Sequence, residues 1–311
     1  MQKQQAQQLP TCSARLTSEL FERWTAYIDG SERTRETYSK NIQRFAEWLS
    51  SEGISSPTRA DVIRYRDQLA QEHKPATVHG YIVAVKLFFQ WLEYEGLYAN
   101  IADRVKNVKV DMYHKKDPLT SKQAGKVLDG LNLESLAGLR DYAIICLMLT
   151  TGLRTQSIVL ADVCDLGTLE GIPVLYYQGK GHTEKADFVK LSPPVVNAVK
   201  RYLTARGEPC SREPLFVSAA PRNRGERMTT RSISRIVKNA LKAAGLESDR
   251  LTAHSLRHTA ATLALKNGAS LNEVQELLGH KNINITMVYL HTLERVQNTS
   301  ADRITAAIFG E

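Results

Sequence analysis

The stretch Thr252–His291, TAHSLRHTAATLALKNGASLNEVQELLGHKNINITMVYLH, decides how the rest of the chain is read. Thr252 and Ala253 lead into an apolar-periodic run (Leu256, Ala260, Leu263, Leu265) that stops at Gly268, a residue suited to the position just past a helix. Ser270 and Glu273 have the spacing of a capping box and start a second helix, which Gly279 ends. His254 and Arg257, three residues apart, share a face of the first helix's opening turn. His280 falls just past the second helix. Tyr289 follows nine residues later (289 − 280), on a short third segment able to fold back toward both. Taken singly these features are ordinary: most His/Arg pairs are solvated, and Tyr289 is one of twelve tyrosines, more often packed than reactive. Together, two histidines, an arginine and a tyrosine suit a reaction on a phosphodiester.

His-x-x-Arg, then Leu-Gly-His, then a tyrosine nine residues on resembles the C-terminal signature of the tyrosine recombinases, the integrase family. The resemblance implies two upstream residues, an arginine after a Thr-Gly-Leu turn and a lysine on a β-hairpin. Both are present, in Thr151-Gly152-Leu153-Arg154 and Gly179-Lys180-Gly181. The full set in order is specific where His-x-x-Arg alone is not. It implies a mainly α fold with a small β-sheet: a helical N-terminal core-binding domain and an α+β catalytic domain, closing as a C-shaped clamp on duplex DNA. It also implies a homotetramer on two recombination sites, joined through the C-terminal helix, with accessory proteins or a partner recombinase left open. Integration of a mobile element and resolution of chromosome dimers both fit.

The residue chemistry agrees. A phenol titrates near 10, so a tyrosine nucleophile needs a base and an activated phosphate. Arg154 and Arg257 offer permanently charged forks for two phosphate oxygens. His254 is the candidate base, His280 a donor to a phosphate oxygen, and Lys180 the candidate acid for the leaving 5′ oxygen. The resemblance implies the products, a 3′-phosphotyrosine and a free 5′-hydroxyl, rejoined without ATP. No carboxylate cluster suits two-metal catalysis, so no metal or cofactor is expected. His254 and His258, at i and i+4, have the spacing of a zinc pair, but a third ligand is not evident. A type IB topoisomerase shares the chemistry, and a non-catalytic DNA-binding protein would share the scaffold. One departure stands out: the third residue after the first arginine is usually acidic in the family, and here it is Ser157. A serine brings no charge, so Ser157→Glu is expected to raise the melting temperature or the recombination yield.

Composition bounds the rest. The chain has 311 residues, with 41 Lys and Arg against 33 acids for a net charge of +8, which favours an anionic partner such as nucleic acid. No apolar run reaches the ~20 residues of a membrane span. Four scattered cysteines without a C-x-x-C motif point to reduced thiols and a cytoplasmic protein. Residues 1–14 read as a flexible lead-in, and 15–107 as a domain of four helices. Those helices are marked by Leu20/Trp24/Ile28, by Tyr38/Ile42/Phe45/Leu49, by the Thr58–Asp61 cap, and by Pro75 at the start of the fourth. Residues 108–117 form a basic linker and 118–311 the catalytic domain. Strands are expected at 173–178 and 186–191 around the loop of Lys180, and helices at 136–150, 193–206, 231–244 and Ser300–Phe309. Arg33, Arg35, Lys40, Arg44, Lys74 and Lys86 in the first domain, and Arg222 and Arg224 in a later basic loop, are candidate phosphate contacts, although charged helix faces are commonly just solvated.

Overall fold

A computed structural model describes residues 16–110, 116–179 and 184–310. The chain forms two compact units that divide near residue 112.

In the first unit the four helical periods become α1 (Ser18–Tyr27), α2 (Glu32–Ser51), α3 (Arg59–Glu72) and α4 (Pro75–Tyr94). Local chemistry starts the last three in turn. Ser31 Oγ accepts the Thr34 N–H at 3.3 Å, the Thr58 N–H donates to Asp61 Oδ2 at 2.8 Å, and Pro75 stands in the first turn of α4. α4 is buried on most sides (Val78, Ile82, Val85, Phe88, Phe89, Leu92), so the other helices must enclose it. Aromatic rings fill the space: Phe88 meets Trp24 edge-on at 5.5 Å and Phe45 meets Tyr65 at 5.0 Å. Burying each such side chain contributes roughly 1.5–3 kcal/mol. An exposed pair such as Arg23–Glu95, 3.4 Å apart, contributes about 0–1 kcal/mol, so apolar burial holds this unit together.

The second unit contains α5 (Ser121–Asp129), α6 (Leu136–Thr151), α7 (Thr155–Leu160), β1 (Leu166–Leu169), β2 (Ile172–Tyr177), β3 (Asp187–Lys190), α8 (Pro193–Arg206), α9 (Thr230–Ala243), α10 (Ala253–Lys266), α11 (Leu271–Leu278), α12 (Asn284–Gln297) and α13 (Ser300–Phe309). Its centre is α6, where Ala143 through Leu149 are all buried, and α5, α8, α9 and α10 pack around it. The chain is thus mainly helical with one small sheet, as the resemblance implies. The sheet runs β1-β2-β3, both pairs antiparallel, with Val174 opposite Lys190. Only the β2–β3 hairpin was expected. β1 is an edge strand whose residues stay largely exposed, so no apolar alternation announces it. α12 is longer than the short segment expected, and its Tyr289 and Leu293, at i and i+4, are both buried. α13 buries nothing, leaving Ile304, Ile308 and Phe309 at 59%, 67% and 73% exposure. Among the described residues no helix is long and apolar enough to cross a membrane.

α6 ends at Gly152 with φ +64°, and a Cβ there would lie 2.7 Å from Leu278 Cδ2. Gly152→Ala therefore suffers both backbone strain of roughly 1–2 kcal/mol and a clash with α11. Urea unfolding should show a loss of at least that size, and unchanged stability would contradict the packing described.

Candidate active site

Arg257 sits one turn into α10, which opens with the Thr252 N–H donating to Ser255 Oγ at 3.0 Å. Its guanidinium is buried at 3% exposure. Nη1 donates to the Gly152 carbonyl at 2.6 Å and Nη2 to the Leu278 carbonyl at 2.5 Å. These carbonyls belong to the C-terminal ends of α6 and α11, where unpaired acceptors and the helix dipole concentrate negative charge. Gly152 and Gly279, with φ of +64° and +57°, let both helices stop there. Thr-Gly-Leu and Leu-Gly-His are thus two helix ends that converge on the arginine of His-x-x-Arg.

Burial pulls the Arg257 guanidinium down to about 10, and the neighbouring charge of Arg154 adds to this, while Tyr289 and Tyr177 push back. It stays cationic at neutral pH. Arg154 is the N-cap residue of α7. With His254, Arg257, Thr252 and Lys238 it lines a groove of about 490 Å³. Two neighbouring guanidiniums repel each other, and an anion with two accessible oxygens relieves that repulsion.

Tyr289 is 4% exposed and packs with Ala261, Val274 and Leu278. Burial raises its phenol above the ordinary value, and Arg257 and Arg154 pull it part of the way back. The His258 ring stands 5.1 Å from the Tyr289 ring, and the His254 ring stands 4.6 Å from that of His258, nearly perpendicular. His254 is exposed and His258 is 2% exposed. In the sequence His258 has only the spacing of a zinc partner for His254, and the structure instead packs it against the tyrosine. His280, 8% exposed, places Nδ1 2.9 Å from Thr286 Oγ1 and its carbonyl 2.8 Å from Gln275 Nε2, so α11 and α12 hold it from both sides. Tyr177, at the end of β2, joins the same surroundings: a Cβ on Gly279 would lie 2.8 Å from its hydroxyl. Lys180 lies outside the described residues.

Ser157 is buried at 4% exposure, and its Oγ donates to the Gln178 carbonyl at 3.2 Å. This reverses the sense of the expected Ser157→Glu gain. The position requires a donor, and a carboxylate would set acceptor against acceptor. Among the described residues one group of three side chains, Asp162, Cys164 and Asp165, has metal-like spacing. Its two carboxylates are already bound by the Lys185 ammonium at 2.6 and 2.5 Å, and Asp162 also by Arg227.

A second groove, about 640 Å³, is lined by Arg222, Arg231, Arg235 and Lys238, and it shares Ser234 and Lys238 with the first. Arg231, Arg235 and Lys238 (i, i+4, i+7) form one exposed basic row on α9. The spacing of this row is legible in the sequence, although none of its residues is among the candidate phosphate contacts named from it. Arg222 lies on the groove's lining, while Arg224 is exposed on the loop beyond. In the first unit Arg33, Arg35, Lys40, Arg44 and Lys74 are exposed and Lys86 is half-buried. Arg35 Nε donates to the Ile28 carbonyl at 3.1 Å, and Arg44 Nη1 to Tyr81 Oη at 3.3 Å.

The site thus brings together a buried tyrosine, two arginines and a basic groove. Residues 118–295 match the profile of the phage integrase family, and residues 20–97 match that of the phage integrase N-terminal SAM-like domain. The chain is 33% identical to tyrosine recombinase XerD of Lacticaseibacillus casei over 280 residues, 85% of this chain and 91% of that one. Among solved structures, XerH site-specific recombinase bound to palindromic difH substrate in a post-cleavage complex superposes with a TM-score of 0.71 at 21% identity, over 86% of this chain and 80% of that one. A lambda integrase tetramer bound to a Holliday junction superposes with a TM-score of 0.66 at 20% identity, over 87% and 75%. The chain belongs to the phage integrase family. It is a tyrosine recombinase, an enzyme that cleaves and rejoins DNA strands through a phosphotyrosine link.

For Ser157, the buried donor geometry predicts that Ser157→Glu lowers the melting temperature and costs roughly 1–3 kcal/mol. Thermal unfolding of both proteins checks this, and a higher melting temperature for the glutamate variant would refute it.

Proposed function

We propose that this recombinase acts on specific duplex DNA sites with Tyr289 as nucleophile, Arg154 and Arg257 holding the scissile phosphate, His254 as base, His280 as a donor to a phosphate oxygen, and Lys180 as acid. The observation that carries the reading is the burial of Tyr289 within the electrostatic reach of both arginines, beside a groove lined by Arg154, His254 and Arg257. In the cleavage step Tyr289 Oη bonds to phosphorus and its proton passes to His254. The bond from phosphorus to the 5′ oxygen breaks, and that oxygen takes a proton from Lys180. A 3′-phosphotyrosine and a free 5′-hydroxyl result. Attack by the 5′-hydroxyl of a second strand reverses these steps, and the retained phosphoester makes ATP unnecessary. The arginines offset the charge that grows on the phosphate in the transition state.

The basic row of α9 and Arg222 continue the site along the phosphate backbone, Arg224 extends it, and Arg33, Arg35, Lys40, Arg44 and Lys86 contact DNA from the first unit. Such contacts carry affinity and a steep salt dependence. Two sites are brought together by a homotetramer, each α13 seated on a neighbouring subunit through Ile304, Ile308 and Phe309, a role that suits a helix burying none of its own residues. The active form works in the cytoplasm, and accessory proteins or a second recombinase complete the system in the cell.

Sequencing DNA trapped covalently on the protein identifies the site. On that DNA, Tyr289→Phe keeps binding and forms no denaturant-resistant adduct; a surviving adduct would overturn the assignment. Lys180→Ala recovers cleavage when the leaving oxygen is replaced by sulfur, which departs as a thiolate, whereas Arg154→Ala does not. Equal failure of both on the sulfur substrate removes Lys180 as the acid.

Assembly is tested separately. Truncation after Asn298 weakens cooperative assembly on paired sites more than binding to one half-site, as read by native gel shifts. An equal loss in both would place α13 within its own subunit.

A further inference from the structure

One buried ring touches both groups that exchange a proton in the proposed cleavage step. His254 and His258 stand one turn apart on the same face of α10, the first exposed and the second only 2% exposed. Their rings lie 4.6 Å apart and nearly perpendicular, and the His258 ring lies 5.1 Å from that of Tyr289 on α12, tilted by 56°. Tyr289 also packs with Ala261, one turn beyond His258, and with Val274 and Leu278 of α11. The segment that leads into α5 holds this part of α10. Thr259, next to His258, accepts the Leu119 N–H on Oγ1 at 2.8 Å. Two residues before Leu119, the Asp117 carboxylate accepts from Arg250 Nε and Nη2 at 2.6 Å each, and the Asp117 N–H donates to the Arg250 carbonyl at 3.2 Å. Those side-chain hydrogen bonds hold the Asp117 carboxyl below its ordinary value against its burial, and the charges of Arg250 and His258 add to the effect.

We propose that His258 is a positioning residue for strand cleavage, a buried spacer whose ring sets the approach of the Tyr289 phenol to His254. The inference rests on the reading of Tyr289 as nucleophile and His254 as base. Proton transfer needs its two heavy atoms within hydrogen-bond reach, and a misplacement of about 1 Å can cost roughly a hundredfold in rate. His254 lies on α10 at the open groove, whereas Tyr289 is carried by a different helix, so their separation is set by what lies against both rings. A flat, rigid ring suits that task, because aromatic rings pack edge-on or tilted against one another in defined geometries. Removing it leaves a void beside Tyr289, and the phenol then samples orientations that miss the base. At 2% exposure His258 acts through Tyr289 and not on the DNA itself.

The test uses the full-length protein and nicked duplexes of the recovered site, with the denaturant-resistant adduct followed in a single turnover at saturating protein. His258→Ala lowers the cleavage rate about tenfold to a hundredfold, while binding to a half-site is unchanged. Sulfur at the leaving position does not relieve this loss, because it replaces only the work of the acid. His258→Phe, which keeps a buried ring, recovers most of the lost rate. A loss as deep as that of the alanine variant would make the imidazole nitrogens the active feature and overturn the spacer. The double variant His254→Ala/His258→Ala separates positioning from general support of the fold: it loses no more than the larger single loss, because both changes break the same alignment. Multiplied losses, or a wild-type rate for His258→Ala, overturn the inference. Where thermal unfolding shows His258→Ala to be misfolded, His258→Gln, which fills part of the space without a ring, takes its place. Tyr289→Phe is run beside them. An adduct formed by Tyr289→Phe sinks the nucleophile reading itself, whereas its absence together with a wild-type rate for His258→Ala sinks only the spacer.

Discussion

The second unit depends on where the charge of Arg257 is placed. A buried guanidinium is costly unless its hydrogens are matched, and here two helix C-termini supply the acceptors. The carbonyls of Gly152 and Leu278 lack partners within their own helices and sit at the negative ends of α6 and α11. One side chain thereby joins the central helix, the helix that carries His254, and the helix before His280. Each needs the others: without the two glycines in left-handed conformation the helix ends could not approach, and without the arginine their carbonyls would be buried unpaired. The nearby Arg154 raises the electrostatic cost of the arrangement, and a bound phosphate lowers it. The same contact therefore builds the fold and prepares an anion site.

The tyrosine is handled in the opposite sense. Tyr289 is packed among Ala261, Val274 and Leu278 with its phenol held neutral by burial. In the nucleophile role proposed for it, reactivity comes from the arginines, a proton acceptor and the phosphate acting together, which would confine chemistry to the assembled complex. His258 extends this arrangement by filling the space between the exposed His254 ring and the buried tyrosine. The basic row on α9 runs from the same groove, so the two grooves share Lys238 and Ser234 as a border.

Much of this was legible in the sequence where the signal is short-range. Capping boxes at Thr58 and Ser270, the proline that opens α4, and the glycine after α11 act within one turn of helix, and each produced the expected boundary. The ordered set Thr-Gly-Leu-Arg, Gly-Lys-Gly, His-x-x-Arg, Leu-Gly-His and Tyr289 was enough to point to the family and to strand transfer through tyrosine.

Other features depended on partners remote in sequence. β1 is a strand because Leu166–Leu169 pairs with β2, although its own residues stay exposed and carry no alternation. Ser157 looked like a missing acid until its hydroxyl was found on the Gln178 carbonyl, 21 positions away. His258 reads in the sequence as half of a zinc pair. By itself the sequence determined most of the helices, many of their ends and the roster of candidate reactive side chains, because periodicity and capping act over a few residues. Only the tertiary structure decided which carbonyls receive Arg257, which ring lies against Tyr289 and which carboxylates hold Lys185. Those choices are made by packing between elements as far apart as 105 residues, the separation of Arg257 and Gly152.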